Sequence, residues 1–234
     1  MIVAERKPLE EIADMIAPYK KVTVIGCRSC VAICLAGGEK EVDMLVSAMN
    51  LKNRKDGRDQ VLEGLVVERQ CEKEWVSEVE AKILGSDLVL SMACSLGAQT
   101  IGDMHPSKLV FPGLNTGMFG VPEEQGVWSE KCMGCGNCII HTTGGICPIA
   151  RCAKNMLNGP CGGSSDGKCE VNLDVDCAWY AIHERLKLQG RLELIETVNE
   201  PKDWSTSHSG GRRIYEREDA KLTPHQKRGK EGSR

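Results

Sequence analysis

The stretch KCMGCGNCIIHTTGGICP, residues 131–148, places Cys132, Cys135, Cys138 and Cys147 close together in sequence. Cys152, Cys161, Cys169 and Cys177 follow, so eight cysteines fall within 46 residues. Thiolates are nucleophiles and the preferred ligands of soft metals. The whole chain of 234 residues carries 13 cysteines, an odd number in clustered spacing. Its first segment, MIVAERKPLEEIADMIAPYKK, mixes acids and bases through its apolar positions and does not read as a secretory signal. A cytoplasmic setting is expected, where thiols stay reduced and a disulfide framework is disfavoured. Metal binding is the reading these facts favour.

Spacing then chooses between metals. Structural zinc is gripped tetrahedrally, usually by two C-x2-C pairs on separate knuckles. The second half of the run offers no second pair: its gaps are four, eight, seven and seven residues. Three cysteines at x2 spacing let a loop wrap three corners of a cubane, and Cys147-Pro148 closes the run as in a ferredoxin, although after eight residues rather than three. Gly134, Gly136, Gly144, Gly145, Gly159, Gly162 and Gly163 free the backbone to turn near these sulfurs. Two or three [4Fe-4S] clusters are expected, with zinc as the alternative at one site.

The elements that must position these thiols read as α/β: a small parallel-sheet domain over residues 1–125, then a cysteine-rich, metal-organised module over 126–205. KKVTVIG (20–26), EGLVVERQ (63–70), SDLVLSMAC (86–94) and SKLVFPG (107–113) read as buried strands separated by amphipathic helices. Cys27, Cys71 and Cys94 then follow three strands, at the carboxyl edge where open α/β sheets build sites. Cys30 and Cys34 lie just after Cys27, so five cysteines are expected to serve one rim, with one to spare. GVPEEQGVW breaks the periodicity near residues 120–131. AWYAIHERLKLQG reads as a closing helix stopped by Gly190, and RLELIETVNEPKDW as a strand or extended arm that packs back on the module.

Residues 206–234 read as a basic, disordered tail: from Gly210 onward eight Lys/Arg stand against four Asp/Glu. One aromatic and no repeated basic block argue against nucleic-acid binding. No apolar run approaches the roughly 20 residues of a membrane span. No flavin or nucleotide signature appears; GLNTGMFGVPEEQG lacks the dinucleotide spacing. Gly37-Gly38 reads as a loop-to-helix turn.

The block TTGGICPIARCAKNMLNGPCGG (142–163), with KCMGCGNC before it and KCEVNLDVDCAWYAI after, resembles the C-terminal domain family of methylenetetrahydrofolate reductases. CVAICLAGGEKEV, VERQCEKE and SMACSLGAQT extend the likeness to the small cysteine-rich subunits of two-subunit bacterial reductases. The resemblance implies an iron–sulfur subunit with zinc also associated, all eight C-terminal cysteines as metal ligands, and further ligands from the N-terminal rim. It implies that FMN sits on a TIM-barrel partner subunit, which reduces methylenetetrahydrofolate with electrons from a donor such as ferredoxin. A zinc-stapled docking subunit without redox role is the alternative. Arg28 and Ser95 stand where the family leads one to expect glycines.

Overall fold

A computed structural model describes residues 1–208 and 211–221. Of the expected tail, residues 209, 210 and 222–234 lie outside the described residues. The chain enters through strand β1 (Ile2–Arg6) and helix α1 (Leu9–Ile16), which buries Ile12, Ala13 and Ile16. Strand β2 (Lys21–Cys27), helices α2 (Cys30–Ile33) and α3 (Glu39–Asp56), and strand β3 (Val61–Val67) follow. Then come α4 (Lys73–Ser77), α5 (Glu80–Leu84), β4 (Leu88–Ser91), α6 (Ser95–Met104) and β5 (Leu109–Pro112). The four strands expected from the sequence pair in parallel, in the order β3-β2-β4-β5.

Side chains alternate across this sheet, as a period of two requires. Val22, Val24, Leu88 and Leu90 pack on one face with α1 and α3. Ile25 and Val89 pack on the other against Val76, Ile83 and Ile101 of α4, α5 and α6. Each such fully buried aliphatic side chain contributes about 1.5–3 kcal/mol. Helix α3 starts at Gly38, whose N–H donates to Glu41 Oε2 at 2.9 Å, and ends at Gly57 with φ +66°. The Gly37-Gly38 turn is therefore filled by the helix's own carboxylate.

A second sheet was not expected from the sequence. Strands β6 (Leu114–Glu124) and β7 (Val127–Cys132) form an antiparallel hairpin, and β1 pairs with β6 to give the order β1-β6-β7. The apparent break near residues 120–131 is this hairpin, turning at Gly126 with φ +89°. Gly117, Gly120 and Pro122 hide it, because they interrupt the usual alternation. Gly120 is needed for close pairing: a Cβ there would lie 3.3 Å from Val3 Cγ2 and collide with the Ser129 backbone.

Beyond β7 lie α7 (Pro148–Arg151), α8 (Ala178–Leu188) and α9 (Glu193–Glu196), then a strap over residues 199–207 that includes a single 3-10 turn at Trp204–Thr206. Helix α8 is the expected closing helix, and Gly190 beyond it takes φ +64°. The module has an apolar core of its own, from Ile146, Cys177, Trp179, Ile182 and Leu186. Most of these residues lie on α8 rather than among the glycine-rich turns. No helix among the described residues is long and apolar enough to cross a membrane.

Candidate metal–thiolate sites

At the rim, Cys27 is the last residue of β2, Cys71 lies four residues beyond β3, and Cys94 caps α6. Cys27 and Cys94 are buried and Cys71 is exposed. Desolvation pushes the Cys71 thiol pKa up, and the nearby Cys27 and Cys94 sulfurs add to the shift, so Cys71 lies within electrostatic reach of both. Sequence reading missed what holds them. Gln70 is fully buried and donates from Nε2 to Ile25 O at 2.6 Å and Gly26 O at 3.0 Å. Its Oε1 accepts from Ser91 Oγ at 2.8 Å, tying the ends of β2 and β4 beside all three cysteines. A glutamine immediately before a rim cysteine, after a strand, was the available signal.

Cys30 opens α2, with Ser29 Oγ 4.0 Å from its sulfur. Cys34 is turned away from the rim. It is 5% exposed and donates to Ala4 O at 3.6 Å and Val31 O at 3.7 Å, and burial pushes its thiol pKa up. It lines a cavity of about 960 Å³ walled by Met44, Met92, Met118 and Trp128. Arg28 pairs with Glu39 at 3.6 Å, and the Ser95 N–H donates to Thr116 Oγ1 at 2.8 Å.

In the module, Cys132 ends β7 opposite Phe119 and its sulfur accepts from the Gly134 N–H at 3.3 Å. Gly134 and Gly136 take φ +65° and +84°, which lets the loop double back past Cys135 and Cys138. Cys147 caps α7, its sulfur accepting from the Ala150 N–H at 3.4 Å, and α7 packs against β7. Backbone N–H groups aimed at sulfur stabilise its anionic form. His141 is exposed beside this loop.

Cys152, Cys161, Cys169 and Cys177 line one cavity of about 20 Å³, together with Arg151, Lys154, Glu170 and Trp179. Cys152 ends α7 and Cys177 caps α8, while Cys161 and Cys169 come from the segment between these helices. The indole N–H of Trp179 donates to Met156 O at 3.0 Å and closes the back of the site. At the mouth, Lys154 pairs with Glu170, whose carboxylate approaches Cys161 Sγ at 3.7 Å. The hydrogen bond from Lys154 holds the Glu170 pKa below its ordinary value. A Cβ at Gly163 would collide with that carboxylate.

Among the described residues, no three His, Cys, Asp or Glu side chains stand close enough together to hold an ion. The donor chemistry nonetheless fits a soft metal: the gathered groups are thiols, and the one carboxylate among them is committed to a lysine.

Residues 111–205 match the family described as methylene-tetrahydrofolate reductase C terminal. The matched segment contains β6, β7, all eight C-terminal cysteines and α8, and it leaves the N-terminal rim outside. The likeness is confined to that segment. Searches of curated proteins and of solved structures found no match.

Proposed function

We propose that this chain is the electron-transfer subunit of a methylenetetrahydrofolate reductase complex, holding iron–sulfur clusters on its cysteines and serving a flavin on a TIM-barrel partner subunit. A ferredoxin-like donor would supply the electrons, and the partner would reduce methylenetetrahydrofolate to methyltetrahydrofolate. The observation that carries this reading is the convergence of Cys152, Cys161, Cys169 and Cys177 on one cavity inside the family-matched segment.

When bound, an iron–sulfur cluster supplies a one-electron store whose potential follows charge, hydrogen bonding to sulfur and exposure. The chain's own residues act on those quantities. The Gly134 and Ala150 N–H groups donate to cysteine sulfur, Arg151 and Lys154 bring positive charge to the cavity, and Trp179 shields its back. The organic step would belong to the partner's flavin.

Four thiols are also the ligand set of a tetrahedral structural zinc site, so this cavity serves a zinc reading as well. In that reading the chain staples and docks the complex without redox change.

Anaerobically purified protein, assayed for iron, sulfide and zinc and examined by electron paramagnetic resonance before and after dithionite, tests both. Electron transfer requires iron and sulfide in multiples of about four per chain, with signals that appear on reduction. Zinc alone, with no signal in either state, rejects electron transfer in favour of docking.

A further inference from the structure

The strap over residues 199–207 crosses the loop that carries Cys132, Cys135 and Cys138. Thr206 Oγ1 donates to Cys135 O at 2.9 Å, and Lys202 Nζ donates to Asn137 O. The fit is tight: Gly136 faces Thr206, and a Cβ there would lie 2.8 Å from Thr206 Cβ.

Lys202 is 8% exposed. Its remaining contact is the Trp204 ring, 5.7 Å from Nζ. It has no carboxylate partner among the described residues. The adjacent Asp203 feels its charge, but that carboxylate is committed to Ser205, accepting from the Ser205 N–H at 2.9 Å. A buried ammonium is costly unless paired, and Asp203, turned to Ser205, gives Lys202 a nearby charge but no ion-pair contact. The carbonyl it holds is shared with a cysteine. Asn137 O, which accepts from Lys202, lies 3.9 Å from Cys135 Sγ, so cation and sulfur flank one carbonyl.

We infer that Lys202 is the counter-charge of an anionic metal–thiolate group on the Cys132–Cys138 loop, a positioning residue laid over that loop by the strap. The inference rests on the metal–thiolate reading above and adds a residue that the cysteine spacing does not reveal. A metal held by several thiolates carries net negative charge whether the metal is iron or zinc, and Lys202 offsets it from inside the fold.

The test compares the full chain with Lys202→Gln and Lys202→Arg, all purified anaerobically and checked for folding by circular dichroism. Glutamine keeps a donor for Asn137 O without charge; arginine keeps the charge with a different shape. Iron and zinc per chain are measured first, then the rate of metal loss to EDTA. Lys202→Gln is expected to lose metal about tenfold faster, the scale typical of a residue supporting metal ligands, with Lys202→Arg near the parent. Where iron is present, the midpoint potential should move negative in Lys202→Gln and return in Lys202→Arg, since removing a positive charge disfavours the added electron. Metal bound in the parent, with Lys202→Gln indistinguishable from it, overturns the inference alone. A parent chain without iron or zinc overturns the proposed function and this inference together.

Discussion

Cys34 and Cys169 are both cysteines of a thiol-rich chain, yet their surroundings assign them different work. Cys34 donates to two carbonyls in the core, whereas Cys169 lines the four-thiol cavity. Cys34→Ala should leave metal content unchanged and cost about 1 kcal/mol through the small void it opens. Cys169→Ala should lower metal per chain, read by elemental analysis of both variants. The raised Cys34 pKa also sets a direction with pH. The unfolded chain releases that proton first as pH rises, so the stability it contributes is complete below about pH 8.5 and declines as pH climbs through the folded pKa. In metal-free protein, Cys34→Ala should flatten the alkaline fall in denaturation midpoint; an unchanged slope would place the titrating group elsewhere.

At the scale of elements, the rim is a joint between strand ends, and Gln70 fastens it. Gln70→Leu leaves Ile25 O, Gly26 O and Ser91 Oγ without the side-chain partner they share, a loss of about 2–4 kcal/mol for buried groups. Urea denaturation should show that loss, and alkylation of Cys27 and Cys94 should accelerate as the strand ends part. Equal alkylation rates in parent and variant would mean that the strands hold the rim unaided. The parallel strands were legible because runs such as KKVTVIG are continuous, β-branched and bounded by glycine. The carboxyl-edge placement of Cys27, Cys71 and Cys94 followed from that pattern. Two things were not legible. Cys34 turns inward because α2 packs against β1, and that contact joins residues far apart in sequence. The grouping of Cys152, Cys161, Cys169 and Cys177 depends on the aperiodic segment between α7 and α8, although Cys177 caps a helix that the sequence did show.

At the scale of the molecule, the antiparallel sheet links the two thiol-bearing regions. Strand β6 leaves the parallel sheet after β5, β1 flanks it, and β7 ends in Cys132. Val3 is 7% exposed in this sheet, opposite Met118. Val3→Asp places a carboxylate against Met118 and Met92 and should cost about 3 kcal/mol or more. Thermal unfolding should fall accordingly, and Trp128 fluorescence should shift to the red as β7 is exposed to water. A variant melting like the parent would mean that β1 adds nothing to the sheet.

The pairing of Ile2 with Phe119 has a consequence for synthesis. Strand β1 is paired late, because its partner follows 117 residues later. At 5–20 residues per second the ribosome leaves β1 waiting for roughly 6–23 s, while the parallel sheet beside it can already assemble. The edge that eventually supports Cys132 is thus closed only after most of the rim's own strands exist. A newborn chain would acquire its rim thiols in place before the loop of Cys132, Cys135 and Cys138 has anything to hang from.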